Sequence, residues 1–511
     1  MPSSPSPPPS TFPLGQTPLL FESRNRSMST SSRKAALNID FIIVGGGITG
    51  LAAAYRLSEA GHNVHVLEKA PGPAKLSGGI RCPPNLTKVL VEWGLADKLV
   101  EEAQAVRVRG SLFHSMDSGN VVGYLEWQED VLQESGAEFL LLHYEDLHRM
   151  LYDLAISCGA RVSYNSNVAS VSAEPPRVVL TSGEEFTADV IIGADGKHSI
   201  VRETIEGEVV QSVPSGISLY TAMVPRDMLK DDPELCALSN VESQRGPEYP
   251  IWMGSGCSAL AHPVRGGSEF CVQLTWPDDK LDEEDAKLEG WYVPWPVKNL
   301  CLDGCDPRLQ RLISLSTTCQ REKFVKQSFA KDWADETGRL LLIGDAAHPF
   351  FACGTQSCSI HIEDAEVLGI LFSRLNDWDQ VPSLAEAFQE LRYKRCHAVN
   401  VYEQQSFESL RAPNGPEQVE RDRVLHTMLV NVHNPRDETT GRDQWEAISE
   451  IFGYSATEAA EDWWVQWGVL RERSKAGATH DGLQMTYEVT EITVSPQLQD
   501  YGFIMQDTTV V

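Results

Sequence analysis

One glycine-rich turn, residues 45–50 (GGGITG), restricts the fold of this chain more than any other feature of its 511 residues. The turn follows residues 41–44 (FIIV), a β-branched run typical of a buried parallel strand. It precedes small and apolar residues at helical spacing, residues 51–60, which Gly61 closes. The pattern predicts a strand, a tight turn and a helix, the opening unit of a dinucleotide-binding fold.

Each glycine of the turn has its own predicted role, and an acid lies downstream at a suitable distance. Gly45 permits the tight turn, Gly47 lets the backbone approach a diphosphate, and Gly50 lets helix and strand pack closely. The free N–H groups and the helix dipole stabilise the diphosphate. Glu68 comes 23 residues after Gly45, at the end of the next strand pattern, where an acid accepts hydrogen bonds from an adenosine ribose. The segment alone leaves the choice between FAD and NAD open.

Two further apolar strand patterns also deliver an acid to a glycine turn. Residues 189–202 (DVIIGADGKHSIVR) place Asp195 and Gly196 after one strand, and residues 339–349 (RLLLIGDAAHP) place Asp345 after another. An ordinary buried strand with a polar turn would explain either run by itself. Asp345 is positioned to accept a hydrogen bond from a ribityl hydroxyl, and the helix after it can offer N–H groups to an electron-rich ring.

Together the three motifs resemble those of the single-component FAD-dependent aromatic monooxygenases (class A flavoprotein hydroxylases), above all their salicylate-hydroxylase-like branch. The likeness covers roughly residues 38–405, and shorter stretches agree with it: 78–85 (GGIRCPPN), 143–149 (HYEDLHR) and 262–267 (HPVRGG). The resemblance implies FAD, NADH or NADPH as reductant, and O2 that adds to the reduced flavin as a C4a-hydroperoxide. It implies hydroxylation of a phenolic or hydroxybenzoate-type ring, with decarboxylation where the attacked carbon carries a carboxyl group.

The resemblance also implies which residues contact FAD, and the chain departs from the family pattern at two places. The family has Arg where Tyr144 stands, so we expect Arg81 or Arg149 to take over that contact. It has Gly where Ser357 stands, beside the flavin pyrimidine ring, and a serine suits that backbone only at negative φ. The residues expected to contact FAD are Gly45, Gly47, Gly50, Glu68, Gly79, Arg81, Arg149, Asp195, Gly196, Asp345, Gln356, Ser357 and Cys358.

Hydroxylation of this kind needs a base or a hydrogen-bond relay, because a phenol has a pKa near ~10. Tyr220 lies where the branch often has a Tyr-Arg pair, and Thr221 replaces that arginine. His262 occupies a usual tyrosine position, and a histidine with a pKa near ~6.5 can accept a phenolic proton. Tyr220 and His262 are the predicted catalytic residues; a packed strand aromatic and a satisfied core histidine are the alternatives. No metal site is predicted, since Cys301 and Cys305 lack a second ligand pair.

The predicted fold class is α/β: a Rossmann-like FAD-binding domain with an inserted, mainly antiparallel β substrate domain and a C-terminal helical extension. The Ser- and Pro-rich N-terminus predicts disorder and, with the unusual third motif, suggests specialised (secondary) metabolism. The predicted segments are a disordered extension at 1–36, the FAD-binding domain at 37–205 and 335–400, the substrate sheet at 206–334, a helical extension at 401–475 and a loosely ordered tail at 476–511.

Composition restricts the partners. A net charge of −29 argues against nucleic acid, and no apolar run approaches the ~20 residues that span a bilayer. Eleven scattered cysteines indicate reduced thiols. We expect a cytoplasmic monomer or homodimer that acts on a small aromatic substrate with O2. The alternatives are a lapsed flavin-binding or structural descendant without oxygenase activity, and a related FAD oxidoreductase or epoxidase.

Overall fold

The computed structural model describes residues 33–75, 78–127, 129–239, 247–278, 293–351, 353–432, 448–468 and 470. The predicted tail at 476–511, and all but residues 33–36 of the predicted N-terminal extension, lie outside the described residues. The described residues form a parallel α/β unit and a larger, mostly antiparallel sheet, followed by C-terminal helices. This architecture confirms the predicted fold class.

The strands are numbered in chain order. They are β1 (Asp40–Val44), β2 (Asn63–Leu67), β3 (Gly79–Cys82), β4 (Val106–Arg107), β5 (Gly110–Ser115), β6 (Val121–Glu126), β7 (Leu140–His143), β8 (Arg161–Ser163), β9 (Val168–Ala173), β10 (Pro176–Leu180), β11 (Glu185–Thr187), β12 (Val190–Gly193), β13 (Val213–Pro225), β14 (Glu248–Gly254), β15 (Cys257–Val264), β16 (Glu269–Pro277), β17 (Val293–Pro296), β18 (Thr318–Lys326) and β19 (Leu340–Leu342).

The α-helices are numbered in the same way. They are α1 (Ile48–Glu59), α2 (Pro84–Glu92), α3 (Ala96–Glu101), α4 (Glu129–Ser135), α5 (Tyr144–Ser157), α6 (Ile200–Glu206), α7 (Pro233–Leu238), α8 (Pro307–Ser314), α9 (Ser357–Phe372), α10 (Val381–Leu410), α11 (Pro416–Val432) and α12 (Ala456–Trp463).

The first sheet contains five parallel strands in the order β19-β12-β1-β2-β8. Its central strands are nearly continuous apolar runs with both faces buried, as parallel strands require. The glycine turn follows β1, Glu68 follows β2, Asp195 lies two residues beyond β12, and Asp345 lies three residues beyond β19. Since the carboxyl ends of parallel strands share one edge, the three predicted motifs meet there.

The second sheet has eight strands in the order β17-β18-β13-β16-β15-β14-β5-β6. All neighbouring strands are antiparallel except β14 and β5, which are parallel. The strands predicted within 206–334 form its centre, but β5 and β6, at 110–126, were assigned from sequence to the FAD-binding domain. The structure corrects that boundary, because β5 extends the antiparallel sheet along β14, about 140 residues later in the chain.

The two faces of this second sheet meet different surroundings. One face, which includes Val272 and Leu274, packs on α7 and α8 in a closed apolar core. The other face includes Cys271 and Gln273 and is turned towards β3 and the loop at 353–356. Because neighbouring residues of a strand point to opposite faces, register decides which side chains can reach the space between the two units.

The C-terminal helices pack on the rest of the protein. Helix α10 runs without interruption to Leu410, so the boundary predicted between residues 400 and 401 falls inside one helix; no glycine interrupts the helix, and Pro413 lies just after it. In α11, Leu425 packs against Gly123 of β6. In α12, Trp463 joins the main core with two buried alanines. Among the described residues, no helix has the length and apolar composition needed to span a membrane.

Candidate active site

The three strand-end motifs contact one another directly. A Cβ atom added to Gly45 would lie 2.4 Å from the carbonyl oxygen of Ala194, and one added to Gly344 would lie 2.7 Å from Oγ1 of Thr49. The backbone of Gly45 has a φ of +105°, which glycine adopts without strain. The loops after β1, β12 and β19 therefore form one tightly packed surface at the carboxyl edge of the parallel sheet.

Within the glycine turn, two positions are closed and one is open. A Cβ atom on Gly50 would lie 2.0 Å from the carbonyl oxygen of Gly45, whereas nothing lies within 4 Å of a Cβ atom on Gly47. Gly47 is the N-cap of α1, and no side chain caps that helix. Uncapped N–H groups beside open space are what a diphosphate requires, so the turn fits a dinucleotide.

Glu68 is held at this turn by two backbone hydrogen bonds. Its Oε2 accepts from the N–H of Gly46 at 2.6 Å, and its Oε1 accepts from the N–H of Ala70 at 2.7 Å. These bonds fix the carboxylate beside the glycine turn, the position predicted for contact with a ribose.

Asp195 carries an unsatisfied acceptor. Its Oδ2 accepts from the N–H of Ile200 at 2.8 Å, but its buried Oδ1 has no partner in the described part of the chain. Burial raises the pKa of Asp195 to about 6. A buried carboxylate oxygen without a donor is costly, so a hydroxyl donor from a bound ligand would suit this position.

Asp345 is held in its charged form. Its Oδ1 accepts from the N–H of Phe350 at 3.1 Å and lies 3.3 Å from Nε2 of His361. Burial would raise the pKa of Asp345, but its hydrogen bond and charge interaction with His361, together with the charge of Lys197, bring the pKa to about 2. Neither His361 nor Lys197 was singled out from the sequence, although Lys197 stands inside the second motif.

The N-terminus of α9 carries the residues predicted to face the flavin ring. Ser357 begins the helix and is not among the residues with positive φ, so the serine that replaces the family glycine is accommodated without strain. Its Oγ donates to the carbonyl of Gly354 at 3.0 Å. The side chain of Gln356 is buried and accepts from Asn85 at 2.8 Å, and Cys358 is buried as well. Gln356 is the N-cap of α9, and no side-chain hydrogen bond is formed at that cap.

Glu403 of α10 binds the same loop and was missed from the sequence. Its carboxylate accepts from the N–H of Thr355 at 3.0 Å and from the N–H of Gln356 at 2.9 Å. Burial raises its pKa, and the charge of Arg81 opposes that shift. A signal did exist: Cys396, Val399 and Glu403 follow one another at spacings of three and four on the buried face of a helix.

The two arginines expected to replace the arginine missing at Tyr144 lie in different places. The side chain of Arg149 is about half exposed and lies 3.4 Å from Asp146 within α5. Arg81 is buried, donates a hydrogen bond to the carbonyl of Cys353 and lines a cavity. Arg81 therefore lines the cavity, whereas Arg149 does not and remains half exposed on α5.

This cavity lies between the second sheet and the loop at 353–356. Phe351 and Phe407 stack at 4.9 Å between ring centroids, and Leu260 and Leu410 add apolar surface. The polar side chains of its lining are Arg81, Ser258, Gln273, Thr275, Thr355, Glu403 and Ser406. The cavity has a volume of about 70 Å³, and its aromatic and aliphatic walls with a few convergent polar groups are the lining typical of a small-molecule site.

His262 lies on the cavity face of the second sheet, but not as a base of ordinary strength. It is fully buried and contacts β3 so closely that a Cβ atom on Gly79 would lie 2.2 Å from its Cε1. Burial, with the charge of Arg81, lowers its pKa to about 3, and its Nε2 has no hydrogen-bond partner in the described part of the chain. At pH 7 His262 is therefore a neutral imidazole, and it is a much weaker base than the histidine with a pKa near ~6.5 that the sequence suggested.

Tyr220 lies on the opposite face of that sheet. It pairs with Leu274 across β13 and β16 and shares the closed core with Trp295, whereas its neighbour Thr221 pairs with Gln273 on the cavity face. Burial raises the pKa of Tyr220 to about 12. The structure therefore does not bring the Tyr220 side chain to the cavity, because a strand turns alternate residues away.

Cysteine reactivity tests whether Cys271, on the cavity face of the second sheet, and Cys358, at the start of α9, are buried. Burial raises the pKa of both Cys271 and Cys358 to about 12, while Cys301 is exposed. Because the thiolate is the nucleophile, native protein treated with iodoacetamide at pH 8 should be alkylated at Cys301 at least ~100-fold faster than at Cys271 or Cys358. Peptide mass mapping over time measures the rates. Comparable rates at Cys358 and Cys301 would contradict a buried start of α9.

Comparison with known proteins agrees with this geometry. A family model described as FAD binding domain matches residues 38–400. The FAD-dependent monooxygenase OpS4 of Beauveria bassiana is 28% identical over 444 residues, 83% of this chain and 96% of that protein. The 3-hydroxybenzoate 6-hydroxylase of Polaromonas naphthalenivorans is 29% identical over 365 residues, 70% of this chain and 84% of that protein. The crystal structure of CtdE in complex with FAD and substrate 4 is similar in fold, with a TM-score of 0.70 at 21% identity over 85% of this chain and 100% of that one.

The parallel sheet, the motifs at its carboxyl edge and the adjoining cavity define a class of protein, the flavin-dependent oxidoreductases. The family model covers well over half of the chain, and the chain therefore belongs to this FAD-binding family. It is an FAD-dependent monooxygenase. The resemblance stated from the sequence and the FAD cofactor are thereby confirmed.

Proposed function

We propose that this enzyme hydroxylates a phenolic or hydroxybenzoate-type ring, with NADH or NADPH as reductant and O2 as co-substrate. The observation that carries the proposal is the cavity between the second sheet and the loop at 353–356, where stacked Phe351 and Phe407 offer a surface for an aromatic ring. The relative that acts as a 3-hydroxybenzoate 6-hydroxylase supports this substrate class. The proposal includes decarboxylation where the attacked carbon bears a carboxyl group, and a role in specialised (secondary) metabolism in the cytoplasm.

In this proposal the carboxyl edge of the parallel sheet holds FAD along its length. The open N-terminus of α1 at Gly47 binds the diphosphate, and Glu68 binds the adenosine ribose. Asp195, with its unsatisfied Oδ1, and Asp345, held charged, accept hydrogen bonds from hydroxyl groups of the cofactor. The uncapped N-terminus of α9, from Ser357, offers N–H groups to the ring.

When bound, FAD supplies electron transfer from the nicotinamide and activation of O2, and the side chains of this chain orient the substrate and exclude water. The cavity face is largely buried, which limits access of water to the reacting ring. His262 is neutral at pH 7, is fully buried against β3 and does not line the cavity, so in this proposal it neither deprotonates nor contacts the ring. Tyr220 has no part in the proposal, because it faces the opposite core.

Turnover with a substrate panel tests the proposal. Purified holoenzyme should oxidise NADH or NADPH faster when a suitable phenol or hydroxybenzoate is added, and the product should gain one oxygen atom derived from 18O2. Mass spectrometry of the product separates coupled hydroxylation from leakage to peroxide, and released CO2 reports decarboxylation. Oxidation of substrate without 18O incorporation would contradict the proposal and indicate that the enzyme is a related FAD oxidoreductase that does not insert oxygen. Purified protein that cannot be reconstituted with FAD would indicate a lapsed descendant.

A further inference from the structure

Arg81 differs from the other buried arginines in its surroundings. It is 8% exposed, yet no carboxylate lies within 4 Å of its guanidinium among the described residues. Every other buried arginine of the described chain has such a partner; these are Arg202, Arg321, Arg374, Arg392, Arg395 and Arg421. Because a buried charge without a directly bound counter-ion is costly, an anion bound beside Arg81 would offset that cost.

The strand geometry turns Arg81 towards the cavity. A Cβ atom on Gly79 would point at His262 and Cys271 of the second sheet, and Arg81, two residues later on β3, shares that face. Its guanidinium lines the cavity with Thr275 and Phe407. It donates to the carbonyl of Cys353, and among the described residues no other acceptor lies within hydrogen-bond distance of its remaining N–H groups.

The carboxylate of the cavity does not neutralise Arg81 directly. Both oxygens of Glu403 accept backbone N–H groups, from Thr355 and Gln356. Glu403 is therefore engaged at the N-terminus of α9, where helix geometry favours an anion. The cavity thus keeps a desolvated cation whose donors are arranged in a planar fork, the geometry that binds a carboxylate through two parallel hydrogen bonds.

We propose that Arg81 binds an oxyanion of the aromatic substrate, a ring carboxylate or a phenolate, and so selects anionic over neutral rings. This inference rests on the proposed function, since it concerns the substrate cavity of that reaction. It assigns Arg81 to the substrate rather than to FAD.

Equilibrium binding to the oxidised holoenzyme tests the assignment without turnover. Benzoate, salicylate and 3-hydroxybenzoate are each titrated against their amides, and changes in the flavin absorbance spectrum report the dissociation constant. The native enzyme should bind at least one acid about tenfold or more tightly than its amide. Arg81→Met should weaken binding of that acid about 10- to 100-fold, as expected for loss of a charged hydrogen-bonded pair, and leave the amide within about twofold. Arg81→Lys should recover part of the loss, and Arg177→Met, which removes an exposed arginine, should match the native enzyme.

Several results would overturn the proposal. They are a native holoenzyme that binds none of the acids, an Arg81→Met variant that loses acid and amide equally, and an Arg81→Met variant that no longer retains FAD. The last result would assign Arg81 to the cofactor. Because Arg81→Met also loses the hydrogen bond to the Cys353 carbonyl and the positive charge near Glu403, thermal unfolding serves as the check that the variant used for binding is folded. Acid binding without hydroxylation would reject the proposed function and leave the assignment of Arg81 intact.

Discussion

Gly50→Ala should leave little folded protein, whereas Gly47→Ala should fold like the native chain and bind FAD weakly. A Cβ atom on Gly50 would lie 2.0 Å from the carbonyl oxygen of Gly45, and Gly45 is itself confined by the carbonyl of Ala194. Neither backbone can yield, so the overlap should cost at least ~3 kcal/mol, the upper range for overpacking. At Gly47 the φ of −72° suits alanine and nothing lies within 4 Å of the added carbon.

The two variants share one chemical change and are separated by two measurements. Circular dichroism during heating measures the fold, and quenching of free FAD fluorescence measures cofactor binding. Gly47→Ala should keep the native unfolding temperature without FAD and lose at least about tenfold in FAD affinity, because the methyl group enters the space proposed for the diphosphate. Native FAD affinity in Gly47→Ala would place the diphosphate elsewhere. A Gly50→Ala variant with native stability would contradict the close approach of helix and strand.

The FAD-binding half of the fold could be predicted from sequence because its signals are local. A β-branched run, a glycine turn and a small-residue helix lie within about 20 residues, and each acid lies within three residues of the end of its strand. The carboxyl ends of parallel strands then bring Glu68, Asp195 and Asp345 to one edge without further information. Sequence also places Ser357 at the start of a helix that we expect to face the flavin ring, although only the structure shows that Ser357 begins α9 in helical conformation.

The cavity could not be predicted in the same way, because register and burial determine it. Tyr220 and Thr221 are adjacent in sequence, yet only Thr221 lies on the cavity face, and a shift of one residue would exchange them. The low pKa of His262 comes from complete burial beside Arg81, which no pattern along β15 reveals. Glu403 lies 47 residues beyond the Gln356 N–H that it binds, so its contact depends on how α10 crosses the FAD-binding unit.

Asp364→Asn should be among the most destabilising single changes in the chain. Its fully buried carboxylate accepts from the N–H of Gly344 at 2.8 Å, from Nε2 of His348 at 2.6 Å and from Nε of Arg392 at 2.8 Å. An asparagine retains one acceptor oxygen and presents an amide donor to groups that are themselves donors. Breaking a buried charged network of this kind costs about 3–5 kcal/mol in free energy of unfolding. The Gly344 turn, which precedes Asp345, should loosen with it, so FAD affinity should fall as well.

Guanidinium denaturation with a matched control isolates this effect. Glu420→Gln removes the carboxylate of an exposed pair with Arg423 and should change the free energy of unfolding by less than ~1 kcal/mol.

Burial would raise the pKa of Asp364, but the charges of His348 and Arg392 hold it well below its usual value. A carboxylate with a lowered folded-state pKa stabilises the protein above its unfolded pKa of ~3.9, and that contribution is lost as the pH falls further. The stability difference between native and Asp364→Asn protein should therefore be largest above pH ~5 and shrink below pH ~4. A difference independent of pH would mean that packing, and not the charge of Asp364, holds the third motif in place.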